Sequence, residues 1–317
     1  MHGDLSIFSG RAHPELARAV CQYLGVELGR AEVFQFSNEN IFVKINQNVR
    51  EHDVFVVQPT FPDVNQSVME LLIMLDALKR ASARRVTAVI PYFAYGRSDK
   101  KDQPRVPITA RLLADMIQVA GADRILTVDL HAGQVQGFFK IPVDELTAVY
   151  LLSDYFRQLE LLEPVVVSAD IGFAKKARNF AELVHAPLAI VEKRRSGNDE
   201  RIETLHLIGD VRGKSAIIVD DEIDTAGSLV GAVELLERQG AKQIFASCVH
   251  PILSGKAVDR IENSSIVKLV TTDTVRLDQS KRSLSNLQVL TVSMLIGEAI
   301  SRIHTGSSVG ALFGAPV

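Results

Sequence analysis

The ten-residue string VDDEIDTAGS, residues 219–228, holds the densest chemistry in the sequence. It follows an apolar run at 216–219 that reads as a strand, and it precedes a helical pattern starting near Leu229. In open α/β sheets, ligands bind beyond the carboxyl ends of strands. At such an end Thr225, Ala226, Gly227 and Ser228 can turn backbone N–H groups toward a phosphate at the helix N-terminus. Gly227 allows close approach, and the hydroxyls of Thr225 and Ser228 add donors. Asp220 and Asp221 can accept hydrogen bonds from sugar hydroxyls or support a cation. A bare acidic loop with an N-cap is the competing reading, and the sugar-phosphate reading accounts for more of the string.

Other strand ends carry complementary groups. Asp129, Leu130 and His131 follow a run at 125–128, and Asp170 follows one at 165–167. Magnesium prefers a few protein oxygens completed by phosphate and water, so isolated carboxylates at such edges suit it. Two basic segments offer charge to phosphates. One is YGRSDKKDQ at 95–103, with Arg97, Lys100 and Lys101. The other is VEKRRSGND at 191–199, with Lys193, Arg194 and Arg195 after an apolar run at 188–191. Solvated basic loops would look similar from composition alone. The segment 36–51, FSNENIFVKINQNVRE, reads as an exposed hairpin.

These groups need a scaffold of strands buried on both faces. Apolar runs at 54–57, 86–90, 125–128, 165–167, 216–219 and 244–246 predict a mainly parallel sheet architecture. Between them, Val68, Leu71, Leu72, Leu75 and Leu78 recur at helical spacing. So do Leu112, Leu113, Met116 and Ile117, and Leu229, Val233, Leu235 and Leu236. The alternation implies α/β layers, and this many strands divide better between two sheets than into one. The reading places one domain at 1–146 and a second at 147–317, with a final helix near 293–304 able to return to the first.

At 317 residues, the chain is long enough for two cores. Its 35 Lys and Arg against 38 Asp and Glu give a net charge of −3, which argues against a nucleic-acid-coating protein. Two cysteines, Cys21 and Cys248, exclude a disulfide framework or a four-cysteine metal site. No basic-then-apolar leader opens the chain, and no apolar run approaches the ~20 residues of a membrane span. A cytoplasmic protein without membrane partners is the expectation.

The 219–228 string resembles the ribose-5-phosphate motif shared by phosphoribosyltransferases and ribose-phosphate pyrophosphokinases. The other segments occur in the order found in the second family, over nearly the whole chain, and the chain is identified as a member of it. The resemblance implies two tandem phosphoribosyltransferase-like domains, each a mainly parallel sheet flanked by helices. It also implies transfer of the β,γ-diphosphoryl group of ATP to ribose 5-phosphate. By that likeness Arg195, Asp220, Asp221, Asp224, Thr225, Ala226, Gly227 and Ser228 hold ribose 5-phosphate, and Lys193 and Arg195 are catalytic. His131 and Asp170 associate with Mg²⁺, and Asn38, Glu39, Asn40, Arg97 and Ser98 contact ATP. Family members usually carry Asp-Gly-Glu where this chain has Asn38, Glu39 and Asn40, and many carry glutamine at Ser98. A homo-oligomer, commonly a hexamer, is implied as well. The rivals are a phosphoribosyltransferase and a non-catalytic regulatory homologue.

Overall fold

The computed structural model describes residues 3–195 and 203–313. The chain divides into two compact units. Met1–Thr147, Thr274–Arg276 and Thr291–Val317 form the first, and Ala148–Asp273 with Leu277–Leu290 form the second.

In the first unit β1 (Leu5–Ser9) and α1 (Pro14–Leu24) lead into a hairpin of β2 (Ala31–Gln35) and β3 (Ile41–Ile45). Then follow β4 (Asp53–Val57), α2 (Val64–Arg80), β5 (Arg85–Ile90), α3 (Thr109–Val119), β6 (Arg124–Val128) and β7 (Val143–Leu146). The five-stranded sheet runs β1-β4-β5-β6-β7 and every pairing is parallel. Each new strand is added on the same side, so the order never reverses. Valines, isoleucines and alanines of β4 and β5 are buried on both faces, as a helix-covered parallel sheet requires. Val68, Leu71, Leu75 and Leu78 of α2 pack onto them with Met74. On α3 the expected stripe splits. Leu113 and Ile117 are buried, whereas Leu112 and Met116 turn outward with Val119. Spacings of three and four put those three on the face opposite the core.

The second unit holds α4 (Val149–Arg157), β8 (Pro164–Ser168), α5 (Ala174–Leu183), β9 (Leu188–Arg195) and β10 (Glu203–Ile208). It continues with β11 (Ser215–Ile223), α6 (Gly227–Arg238), β12 (Gln243–Pro251), α7 (Ala257–Glu262), β13 (Ile266–Thr272), α8 (Gln279–Arg282) and β14 (Leu287–Leu290). Its sheet order is β10-β9-β8-β11-β12-β13-β14, with only β10 antiparallel. From β8 the chain goes first to one side, to β9, and later to the other, to β11. That reversal leaves a crevice between the carboxyl ends of β8 and β11. Val165, Val167, Ile218 and Ala246 from the sheet and Leu229, Val233 and Leu236 from α6 make its core.

The last helix, α9 (Ser293–Thr305), belongs to the first unit and packs on α1. A Cβ on Gly297 would stand 2.4 Å from Cδ1 of Tyr23, so glycine is what lets the two helices meet. At the helix end, Arg85 Nη2 donates to the Ile303 carbonyl at 3.0 Å, and Arg85 grips the buried Asp53 through Nε and Nη2. His304 Nδ1 shares a 2.9 Å hydrogen bond with the same carboxylate. Among the described residues no helix is long and apolar enough to cross a membrane.

Candidate functional site

The carboxyl edge of the second sheet is built around the start of α6. No side chain caps that helix, and its N-cap Ala226 sits in the left-handed region at φ 59, ψ 10. A non-glycine residue there is strained by roughly 1–2 kcal/mol. An uncapped helix start leaves backbone N–H groups that suit an anion. The loop is braced from below. Ser254 N–H donates to the Asp224 carbonyl at 3.0 Å, its hydroxyl donates to Asp224 Oδ1, and Leu253 N–H donates to the Ile223 carbonyl at 3.0 Å. Arg260 Nη1 donates to the Thr225 carbonyl at 2.7 Å. Ser254 and Arg260 were not singled out from the sequence. They lie about 30 residues downstream and carry no local signal of their own.

Asp220 and Asp221 were expected in the loop after a strand ending at 219. They lie instead within β11, which pairs with β12 as far as Ile223 and Pro251. Asp221 is buried, and its N–H donates to Asp220 Oδ1 at 2.9 Å. Burial, followed by the neighbouring charge of Asp221 and that of Asp170, pushes the Asp220 carboxyl up to about 8. Asp170 stands just beyond β8, exposed, with its Oδ1 accepting the Phe173 N–H at 2.8 Å. Asp220 and Asp221, with Asp170 in electrostatic reach, are hard oxygen donors of the kind Mg²⁺ takes together with phosphate oxygens and water. Among the described residues no cluster of three or more His, Cys, Asp or Glu encloses a metal by itself. Cys248, opposite Asp220 in the ladder, is fully buried and its thiol is pushed up to about 12, which leaves it unreactive. Lys193 and Arg195 lie on the backbone of β9, and their side chains fall outside the described residues.

The first unit supplies the other candidates. Asp129 adopts φ 41 just past β6, is buried, and accepts the Thr147 hydroxyl at 2.8 Å. Its carboxylate is thus engaged inside the turn, while His131, two residues on, is exposed. The basic loop packs against that histidine. A Cβ on Gly96 would meet His131 Cβ at 3.4 Å. Ser98 N–H closes a turn onto the Tyr95 carbonyl at 2.8 Å, Gln134 donates to the buried Asp99, and Arg97, Lys100 and Lys101 are exposed. The hairpin expected over 36–51 is displaced: its strands are Ala31–Gln35 and Ile41–Ile45, residues 36–40 form the turn, and Asn38, Glu39 and Asn40 are exposed at its tip. Asn38 Oδ1 accepts the Asn40 N–H at 3.2 Å, Glu39 sits at φ 67, and the rings of Phe34, Phe36 and Phe42 cluster at 4.9–5.8 Å beside them.

Two mainly parallel-sheet units, one with an uncapped helix start at its switch point, define a phosphoribosyltransferase-like α/β protein. The family models agree. Residues 5–121 match the N-terminal domain of ribose phosphate pyrophosphokinase, and residues 200–314 match the phosphoribosyl synthetase-associated domain. The chain is 49% identical over 315 residues to the ribose-phosphate pyrophosphokinase of Clostridium acetobutylicum, covering 98% of each chain. It is 48% identical over 313 residues to that of a Marinomonas species, covering 98% of this chain and 99% of the relative. The crystal structure of phosphoribosylpyrophosphate synthetase from Mycobacterium smegmatis superposes with a TM-score of 0.91 at 41% identity, covering 96% of this chain and all of that one. The chain belongs to the ribose-phosphate pyrophosphokinase family. It is a kinase-type transferase, as the sequence motifs led us to expect.

Proposed function

We propose that the protein transfers the β,γ-diphosphoryl group of ATP to the anomeric hydroxyl of ribose 5-phosphate, with Mg²⁺ as the cofactor. The observation that carries this reading is the uncapped, left-handed start of α6 directly beyond a strand bearing Asp220 and Asp221. The backbone N–H groups of Thr225, Ala226, Gly227 and Ser228 take the 5-phosphate, and Asp220, Asp221 and Asp224 orient the pentose by its hydroxyls. The anomeric oxygen attacks the β-phosphorus. The bond from that phosphorus to the α–β bridging oxygen breaks, and AMP leaves with the bond's electron pair. The hydroxyl proton passes to solvent.

Such transfers depend on position and charge more than on covalent participation. Lys193, Arg195 and Arg97 offset the charge that develops on the phosphate oxygens. Lys193 acts as a point cation, while the guanidinium groups can grip oxygen pairs. Asn38, Glu39, Asn40 and Ser98 hold the nucleotide. We assign Mg²⁺ to His131 of the first unit and to Asp170 of the second, each as a ligand beside phosphate oxygens, and the ion would supply Lewis-acid charge to them. The outward stripe of Leu112, Met116 and Val119 supports a homo-oligomer, which we take to be a hexamer working in the cytoplasm. Purified protein given Mg-ATP and ribose 5-phosphate should yield AMP and the 1-diphosphorylated pentose in equal amounts. Absence of both products overturns the reading.

A further inference from the structure

An anion cradle made of peptides works only if its carbonyls point away from the ligand. Each outward carbonyl then needs a donor elsewhere. At the start of α6 the carbonyl of Thr225 is held by Arg260 Nη1 at 2.7 Å. This carbonyl belongs to the peptide whose N–H is that of Ala226, the strained residue at φ 59. Rotating the peptide to point its oxygen inward would therefore break a charge-assisted bond and bring a partial negative charge to the ligand. The guanidinium also lies beside Gly227. A Cβ on Gly227 would stand 3.5 Å from Arg260 Nη1 and 3.8 Å from Thr225 Oγ1. Arg260 is exposed on α7, and among the described residues its side chain makes no other hydrogen bond or ion pair. An exposed arginine that spends its one hydrogen bond on a backbone carbonyl is not explained by core packing or by a surface ion pair.

We propose that Arg260 is a positioning residue for the phosphate cradle: by holding the Thr225 carbonyl outward it fixes the 225–226 peptide with its N–H toward the 5-phosphate. This rests on the reading of residues 219–228 as the ribose-5-phosphate site. Asp224 is held by Ser254, so the loop is pinned at two adjacent residues by side chains from one downstream segment. Lysine at 260 could supply one charged donor to the same carbonyl but without the guanidinium's fixed planar fork.

The test is steady-state kinetics and calorimetry on the full-length protein carrying Arg260→Ala, Arg260→Lys or Gly227→Val. Arg260→Ala should raise the KM and Kd for ribose 5-phosphate about tenfold, lower kcat less than threefold and leave the KM for ATP within about twofold. Arg260→Lys should recover part of the loss. Gly227→Val crowds the cradle directly and should abolish ribose 5-phosphate binding. If Arg260→Ala leaves ribose 5-phosphate affinity unchanged while Gly227→Val destroys it, the positioning role is wrong and the cradle stands. If neither variant alters that affinity, the cradle reading itself fails. Should Arg260→Ala lower kcat and raise both substrate constants together with no recovery in Arg260→Lys, its effect is general and the proposal is overturned.

Discussion

The two sheets share a layered plan but treat their carboxyl edges in opposite ways. In the first unit the polar groups at the edge are largely consumed by the protein itself. Asp129 takes the Thr147 hydroxyl, Asp99 takes Gln134, and Asn38 closes its own turn. Three cations of the basic loop, Arg97, Lys100 and Lys101, are exposed. In the second unit Asp220 and Asp221 crowd together with Asp170 in electrostatic reach, and the helix beyond them is left without a side-chain cap. The difference follows from strand order. A sheet that winds in one direction gives each βα loop a neighbour to fold against, whereas a reversal parts two loops and leaves their groups for a ligand. Under the proposed function, the first edge would cover the triphosphate and the second would seat the phosphorylated sugar with its cation.

The sharpest way to break this contrast is at Lys193, assigned to the transferring group. Lys193→Ala should lower kcat roughly 100- to 1,000-fold while moving the KM for ribose 5-phosphate less than about threefold. An unchanged turnover number removes Lys193 from that role. The next effect lies in the crowded carboxylates. Because the folded chain raises Asp220 to about 8, it holds a proton that the unfolded chain releases near 3.8. Stability contributed by this group is therefore lost as pH rises between those values. Asp220→Asn should match wild type near pH 4 and be more stable by about 1–2 kcal/mol at pH 8.5, with millimolar Mg²⁺ narrowing the gap. Urea melts at the two pH values read this directly, and a pH-independent difference would mean the crowding is not electrostatic.

Smaller changes sharpen the comparison. Asp224→Ala frees the loop from Ser254 and should weaken ribose 5-phosphate binding about tenfold by calorimetry, leaving ATP affinity alone. Unaltered pentose affinity would detach Asp224 from the site. Asn38→Ala loosens only the hairpin tip of the first unit. It should raise the KM for ATP about threefold and leave that for ribose 5-phosphate unmoved, and the reverse pattern would exchange the roles given to the two edges.

Much of this architecture was legible because buried parallel strands must be apolar throughout. The runs at 54–57, 86–90 and 165–167 fall inside β4, β5 and β8, and the gap between 219 and Leu229 contains the cradle. The end of β11 was misplaced because ladder pairing with β12, not local composition, carries three acidic residues into a strand. The α3 stripe was overcounted because apolar residues occupy both faces of that helix, and only the fold decides which face meets the sheet. Arg260 and Ser254 were invisible for a related reason. Each looks like an ordinary turn or helix residue until β12 brings it beside a loop 30 residues earlier.

The return of α9 to the first unit sets an order on synthesis. By residue 290 the ribosome has delivered every strand and helix of the second unit, but the first still lacks the helix that covers α1 and the Ile303 and His304 groups that meet Asp53 and Arg85. The half of the protein made first is therefore completed last. A nascent chain stalled short of its final helix would carry a complete second unit and an incomplete first one.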